Sequence, residues 1–172
     1  MAHNRFGLNE SYINSSVKCV FISHQRKDKN IAKAIADYIL KAGIDIYFDE
    51  YDASIDVNNP YSVVSSIRNG ICRSSHMLCL LSHNALESKW MPWEIGFGYD
   101  KTKVLGLTVK DIARSVLPEY LQIVPILRGT KSLNDFLANV CGKTPSQMLY
   151  EERCFSASMP NHPLDNYLNW EL

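Results

Sequence analysis

The feature that most constrains the fold of this chain is an alternation of short apolar runs with segments of helical periodicity. Five runs have the length and composition of buried strands: residues 18–22, 44–48, 76–81, 104–109 and 121–127. Apolar residues recur at helical spacing in three further segments: residues 31–41, 61–72 and 133–140. Strands that alternate with helices predict an α/β fold with a parallel sheet covered on both faces. Pro125 indicates that the fifth strand lies at an edge, since proline cannot donate to a ladder.

Polar side chains follow the first three strands at the points where these strands end. Ser23 and His24 follow the first strand, Asp49 and Glu50 follow the second, and residues 82–100 follow the third. Ligands of open α/β sheets bind beyond the carboxyl ends of the strands. We therefore expect these three groups to converge on one site.

The segment 82–100, SHNALESKWMPWEIGFGYD, is the most informative of the three. The polar residues at its start suit a strand exit and a helix cap: Ser82, Asn84 and Ser88. Pro92 is tolerated only where a helix begins, so Glu94 falls in or near a first turn, where the helix dipole favours an ionised carboxylate. Trp90 lies four residues earlier, close to the same helix face. On spacing alone, a core tryptophan and a dipole-compensating glutamate are the more common roles for these two residues.

Composition excludes several function classes. The net charge is zero, with 18 basic and 18 acidic side chains, which argues against a general nucleic-acid binder. Five cysteines without a C-x-x-C pair argue against a disulfide framework or a zinc site and favour a reducing compartment. No stretch approaches the roughly 18 apolar residues of a membrane span, and the N-terminus lacks the apolar core of a signal peptide. These features predict a cytoplasmic protein that binds neither nucleic acid nor membrane.

Motifs of competing enzyme classes are missing. No G-x-G-x-x-G motif follows the first strand, which argues against an NAD-dependent oxidoreductase. The sequence also contains no G-x-S-x-G motif, which argues against a serine hydrolase. Magnesium binds oxygen ligands such as the carboxylates of Asp49, Glu50 and Asp52. Loop solvation or helix capping is nevertheless the more common role of such an acidic group. A phosphoacceptor site needs its acidic pair after the first strand, where this chain has Ser23 and His24.

The chain divides into three parts by composition. Residues 1–16 are polar and rich in Asn and Ser, and we interpret them as an N-terminal arm with little structure of its own. Residues 17–142 contain all the predicted strands and form one domain with a full core. The composition changes after Gly142, and residues 143–172 are expected to form a C-terminal extension that packs on the domain or contributes to an interface.

Three motifs, in order along the chain, resemble those of a known family. VFISHQRKDKNIAKAIADYILKAGIDIYFDEYD looks like the opening of a Toll/interleukin receptor (TIR) domain. That opening has a strand reading F-[IV]-S-[HY], an acidic-capped helix (here with Asp28) and a second strand reading [VI]-[WYF]-x-D. The arrangement of Ser88, Trp90 and Glu94 resembles the segment with the catalytic glutamate in NAD-cleaving members, many of them bacterial. The likeness covers about residues 18–140 and implies a flavodoxin-like, five-stranded sheet.

The resemblance implies cleavage of the nicotinamide–ribose bond of NAD⁺, as an NAD⁺ glycohydrolase or ADP-ribosyl cyclase. It also implies that Glu94 is catalytic and that Ser23, His24, Tyr47 and Trp90 bind the dinucleotide. NAD⁺ is then the substrate, and neither a metal nor a separate cofactor is expected. A Thoeris-like role in bacterial antiphage defence is further implied, through a nucleotide signal or through depletion of NAD⁺.

Two departures from the family pattern concern assembly and the orientation of the glutamate. Residues 49–60 form a long polar loop, with Pro60 where many members have a glycine before the next helix. We expect this loop to cover the site or to contact a second copy, with Tyr51 as its contact residue. Pro92 is also an unusual residue between Trp90 and Glu94, and its position there affects the tilt that we expect for the Glu94 carboxylate.

The alternative function is a non-catalytic TIR scaffold that acts by self-association. As an enzyme, the protein is expected to be switched on by another protein, by a phage component or by its own assembly, and a separate effector or activator protein is an expected partner.

Overall fold

Five parallel strands form a single sheet in the order β2-β1-β3-β4-β5 in the computed structural model. The structure describes residues 18–48, 58–110 and 112–170. The strands are β1 (Cys19–Ser23), β2 (Asp45–Tyr47), β3 (His76–Leu81), β4 (Lys103–Thr108) and β5 (Ile126–Leu127). This is the flavodoxin-like strand order, so the predicted α/β fold with five parallel strands is confirmed.

The helices of the described residues connect the strands and cover both faces of the sheet. They are α1 (Lys29–Lys41), α2 (Pro60–Arg73), α3 (His83–Leu86), α4 (Met91–Tyr99), α5 (Thr130–Cys141) and α6 (Pro145–Tyr150). Proline is accommodated at the first position of α2, where Asn59 caps the helix by accepting a hydrogen bond from the Tyr61 N–H at 3.0 Å. After α1, Gly43 adopts a left-handed conformation, as expected for a helix stop.

Apolar side chains form two cores, one on each face of the sheet. Helices α1 and α5 cover one face, and α2 and α4 cover the other. Because side chains of a strand alternate between faces, Ile46 and Tyr47 of β2 enter different cores. Burial on both faces accounts for the continuous apolar runs in the sequence.

The fifth strand is shorter than predicted. The sequence pattern assigns residues 121–127 to it, but only Ile126–Leu127 pair with β4. Glu119–Leu121 form a 3₁₀-helix instead. Pro125 has no N–H for the ladder and contributes only its carbonyl, which accepts a hydrogen bond from the Gly106 N–H at 2.9 Å. The strand does lie at the sheet edge, as the proline indicates.

The described part of the C-terminal extension contacts the face covered by α1 and α5. Leu164 and Leu168 are buried and belong to the core on that face. Tyr38 of α1 accepts a hydrogen bond from the Phe155 N–H at 3.0 Å. The extension therefore contributes both apolar area and backbone hydrogen bonding to the domain.

Two predicted segments lie outside the described residues. They are the N-terminal arm, residues 1–16, and residues 49–57 of the loop after β2, which include Tyr51 and the acidic group. Among the helices that the structure describes, none combines the length and the apolar character needed to cross a membrane.

Two glycines of α4 offer a matched test of how this helix packs. A Cβ at Gly96 would meet no atom within 4 Å, whereas at Gly98 it would come within 2.6 Å of Met77 Sδ. Gly96→Ala should raise the free energy of unfolding by about 0.5–1 kcal/mol, because alanine is the better helix former. Gly98→Ala should lower it by about 1–3 kcal/mol, because the core must shift. Urea unfolding measures both changes, and equal effects would contradict the packing of α4 on β3.

His162 of the extension is buried against the rings of Tyr38, Phe155 and Trp170. Burial lowers the pKa of its imidazole below 6.5, although Asp165 opposes this effect. The unfolded chain therefore takes up a proton at a higher pH than the folded protein does. The contribution of neutral, buried His162 to the free energy of unfolding should be fully present above about pH 6.5. It should decline as the pH falls below this value.

A His162→Phe variant isolates this contribution. Its free energy of unfolding should change less than that of the wild type between about pH 7 and about pH 5.5, because one group with a lowered pKa has been removed. Denaturant unfolding at several pH values gives the two slopes. Identical slopes would contradict the buried position of His162.

Candidate active site

A small crevice lies at the carboxyl ends of β1 and β3. These strands are neighbours at the point where the strand order reverses, which is where ligands of such sheets bind. The crevice has a volume of about 160 Å³. It is lined by the end of β1, one face of α2 and the start of α4: Ser23, His24, Gln25, Val63, Ile67, Ser88, Trp90, Met91 and Glu94.

Glu94 lies in the first turn of α4, as the sequence predicts. Pro92 fits within this turn because the first N–H groups of a helix have no intrahelical partner. The Glu94 N–H donates to the Trp90 carbonyl at 2.9 Å, the first hydrogen bond of the helix. The side chain is half-buried on the crevice wall. Its carboxylate therefore lies near a helix N-terminus, in a field that favours negative charge.

Ser23 connects the end of β1 to this carboxylate. Its Oγ donates a hydrogen bond of 2.5 Å to Glu94 Oε2, and Ser23 is only 2% exposed. A short hydrogen bond from a hydroxyl to a carboxylate is stronger than one between neutral groups, and burial limits competition from water. The arrangement fixes the orientation of the Glu94 side chain.

Cys79 is paired with Ser23 in the ladder between β1 and β3. Burial raises the pKa of the Cys79 thiol well above its usual range, and the negative charge of Glu94 raises it further. A thiol in this setting stays neutral, whereas a nucleophilic cysteine needs a lowered pKa. Cys79 is therefore a core residue beneath the crevice and not a candidate nucleophile.

Trp90 forms the rim of the crevice and is 49% exposed. Ser88 Oγ accepts hydrogen bonds from the N–H groups of Trp90 and Met91, at 3.1 and 3.2 Å, and so supports the start of α4. The Trp90 ring meets Trp93 edge-on, with centroids 6.0 Å apart. A large exposed aromatic face beside a carboxylate suits stacking on a ligand, and its exposure rules out a purely core role.

The structure separates Tyr47 from the other predicted site residues. Tyr47 is 2% exposed, stacks on Phe21 with centroids 5.5 Å apart and does not line the crevice. It faces α2, where the missing side chain of Gly70 leaves room for its ring. His24 does line the crevice, and its ring stacks on Phe48 at 4.6 Å. The aromatic residue of this part of the chain that supports the crevice is therefore Phe48, one position further on.

Asp28 has a different partner from the one that its sequence position indicates. It occupies the N-cap position of α1, but its side chain makes no capping hydrogen bond. The buried carboxylate instead accepts hydrogen bonds from Ser82 Oγ at 2.5 Å and Asn84 Nδ2 at 2.7 Å. These bonds connect the segment after β1 to the segment after β3, and both border the crevice. The partners are 54 and 56 residues apart along the chain, so local spacing carries no signal for this contact.

Comparison with known sequences identifies one family and a distant relative. A family model of the TIR domain matches residues 20–136. The NAD(+) hydrolase TcpC of Escherichia coli O6:H1 is 30% identical over 99 residues, which cover 57% of this chain and 29% of TcpC. The chain thus spans less than a third of the length of that relative.

The solved structures that resemble this chain include a TIR domain and an N-glycosidase. The TIR domain of the Toll-related receptor TRR-2 from Hydra magnipapillata gives a TM-score of 0.54 at 13% identity, covering 78% of this chain and 96% of that domain. The CMP N-glycosidase BcmB of Clostridium botulinum gives a TM-score of 0.48 at 14% identity, covering 72% of this chain and 98% of that one. The first likeness supports the fold, and the second is too weak to bear on fold or function.

Proposed function

This chain belongs to the TIR domain family, and we propose that it cleaves the nicotinamide–ribose bond of NAD⁺. The observation that carries this proposal is the hydrogen bond of 2.5 Å from Ser23 Oγ to Glu94 Oε2, in a crevice with Trp90 at its rim. The name of the relative TcpC, an NAD(+) hydrolase, supports the same reaction. In this proposal Glu94 is the catalytic residue, and Ser23, His24 and Trp90 position or bind the substrate.

The reaction requires stabilisation of a positive charge more than it requires an acid. Nicotinamide takes the electron pair of the breaking bond and leaves as a neutral pyridine, so its departure needs no proton. The ribose left behind has the oxocarbenium character that is known from glycoside hydrolysis. An ionised Glu94 stabilises this charge and accepts hydrogen bonds from the ribose hydroxyls. Attack by water at the ribose, with loss of one proton to solvent, then gives ADP-ribose, and attack by a group of the same nucleotide gives a cyclic product.

The other crevice residues have distinct roles in this proposal. Trp90 stacks on the nicotinamide ring and excludes water from one side of the bond. His24, supported by its stacking on Phe48, presents a polar ring to the substrate. Ser23 is a positioning residue, because its hydroxyl is bonded to Glu94 and is almost fully buried.

Ser23→Ala should lower kcat for NAD⁺ cleavage by about 10- to 150-fold, since a hydrogen bond to a charged group contributes about 1.5–3 kcal/mol. KM should change little, because the hydroxyl acts through Glu94. Steady-state assays of nicotinamide release measure both constants. Ser158→Ala, at an exposed serine of the extension, is the control and should behave as wild type. An unchanged kcat in Ser23→Ala would remove the positioning role.

The crevice is small for a dinucleotide. Its volume of about 160 Å³ lies below the roughly 300–1,000 Å³ of ordinary small-molecule sites. It accommodates one end of NAD⁺ at most, and we therefore propose that a second copy of the chain completes the site. The cleavage rate per molecule should then rise with protein concentration, because mass action sets the active fraction.

Nicotinamide release across a wide dilution series, with light scattering in parallel, tests the function and the assembly separately. We expect specific activity and particle mass to rise together in the wild type. A flat activity profile from a monomer would contradict the assembly but retain the enzyme. No nicotinamide at any concentration would contradict the enzymatic function.

A non-catalytic scaffold is the second candidate function, and the small volume of the crevice is the observation that favours it. A scaffold associates with itself and leaves NAD⁺ intact. Association without nicotinamide release in the same dilution series would support the scaffold, whereas release that depends on Glu94 would exclude a purely scaffolding role.

We propose further that the activity serves bacterial antiphage defence in a Thoeris-like manner, by depleting NAD⁺ or by making a nucleotide signal for a separate effector protein. The bacterial relative and the resemblance of residues 88–94 to NAD-cleaving members support this setting. A cytoplasmic location is also proposed, and it is supported by the five cysteines, all of which are free.

A further inference from the structure

A second and larger cavity lies at the opposite end of the sheet. Its volume is about 750 Å³, within the range of roughly 300–1,000 Å³ that is typical of small-molecule sites. His76 and Lys103, the first residues of β3 and β4, line it together with Lys18, which precedes β1. Helix α5 contributes a further wall. No residue that lines the candidate active site also lines this cavity.

The cavity is cationic. Lys18 and Lys103 are its charged lining residues, no carboxylate lines it, and neither lysine forms an ion pair with any residue that the structure describes. Burial lowers the pKa of His76, and Lys103 and Lys18 lower it further, so the three basic groups share one electrostatic field. The C-terminus of α5 opposes this field, but the Gly142 N–H caps the Asn139 carbonyl there at 3.0 Å.

Flat and apolar side chains complete the walls. Phe136 meets the His76 ring edge-on, with centroids 5.4 Å apart. Tyr99 and Ile123 line the cavity and are more than half exposed. Exposed apolar surface around a cavity of this size, with a few polar groups directed into it, is typical of ligand sites.

We propose that this cavity binds a small organic anion that carries a flat ring together with a phosphate or carboxylate group. Lys18 and Lys103 bind the anionic group, and the rings of Phe136 and Tyr99 contact the flat part. The site is independent of NAD⁺ cleavage, since no residue of the candidate active site takes part in it.

Titration of the protein with AMP, benzoate and inorganic phosphate, followed by ¹H–¹⁵N NMR, tests this proposal. The titrations use the wild-type protein, since none of the three probes contains the nicotinamide–ribose bond. AMP, benzoate or both should shift the amide signals of Thr102, Lys103 and Phe136 to saturation, and inorganic phosphate should bind more weakly than the better ring-bearing probe. The affinity ratio of AMP to benzoate then distinguishes a phosphate from a carboxylate ligand.

Charge and shape variants locate the binding. The double variant Lys18→Gln, Lys103→Gln should weaken binding by about 25-fold, or about fivefold for each lysine. Asn139→Trp, at an exposed lining residue of α5, should block the cavity and abolish binding. Lys33→Gln is the matched control, because Lys33 is an exposed lysine on α1 that pairs with Asp37. Its affinity should equal that of the wild type.

Three results would overturn the proposal. One is a set of shifts confined to the surroundings of Ser23 and Glu94. Another is equal affinity in the double variant and the lysine control. The third is a set of shifts around the cavity that follow protein concentration instead of probe concentration, since a second copy of the chain would then occupy this face.

Discussion

Replacement of Glu94 by glutamine is expected to lower kcat for nicotinamide release from NAD⁺ by at least about 100-fold while the protein stays folded. Glutamine has nearly the same shape and retains an oxygen that can accept the hydrogen bond from Ser23, but it has no charge to stabilise an oxocarbenium-like ribose. Loss of the interaction with the dipole of α4 should reduce the free energy of unfolding by only about 0.3–1 kcal/mol. Nicotinamide release and Tm are measured on the same preparation.

Glu87→Gln is the matched control for this prediction. Glu87 is an exposed carboxylate on the segment that leads into α4, and it does not line the crevice. Its substitution should leave kcat unchanged. Activity of Glu94→Gln within a few fold of wild type would remove Glu94 as the catalytic residue, and a large fall in Tm would indicate a structural role instead.

Trp90→Ala is expected to lower kcat/KM for NAD⁺ by about 5- to 150-fold, since stacking on an aromatic side chain contributes about 1–3 kcal/mol for a nucleic-acid base. The stability cost should be smaller than the roughly 3–5 kcal/mol that core tryptophans lose on truncation, because Trp90 is 49% exposed. Steady-state kinetics and urea unfolding of the same variant give both numbers.

Tyr150→Ala controls for the removal of an exposed aromatic residue. Tyr150 ends α6, is 91% exposed and lies outside the crevice. Its kcat/KM should equal that of the wild type. If Trp90→Ala instead loses stability in the core range and retains its activity, the ring of Trp90 serves packing and not substrate binding.

Most of the fold could be predicted because continuous apolar runs in the sequence indicate strands that are buried on both faces of a sheet. The predicted bounds of β3 agree with the structure, His76–Leu81, since every residue of this strand is buried. The start of α4 was predictable because Pro92 fits only in a first turn. The length of β5 was not predictable from apolar content, because pairing there depends on N–H groups that Pro125 interrupts.

The residues of the crevice were predictable in part. Ser23, His24 and the segment with Glu94 follow strand ends, and parallel strands bring their ends to one edge. The direction of Tyr47 was not predictable from its position, because neighbouring residues of a strand face opposite sides and a shift of one residue reverses them. In the structure, Tyr47 is buried in the core and the ring of Phe48 stacks on His24.

The contacts that orient the candidate catalytic group join distant parts of the chain. Ser23 and Glu94 are 71 residues apart, and Asp28 lies 54 residues from Ser82. Such pairs follow from the order of the strands and not from local spacing. Helical spacing likewise marks Val63 and Ile67 of α2 as core positions, whereas both also line the crevice.

The most direct test of the proposed function is identification by mass spectrometry of the products that the protein forms from NAD⁺ at high protein concentration. We expect nicotinamide together with an equal amount of ADP-ribose, a cyclic isomer of it or an ADP-ribose conjugate, and neither product with Glu94→Gln. Intact NAD⁺ after prolonged incubation with folded, self-associated wild-type protein would contradict the claim that the crevice formed by Ser23, Trp90 and Glu94 is an NAD⁺-cleaving site.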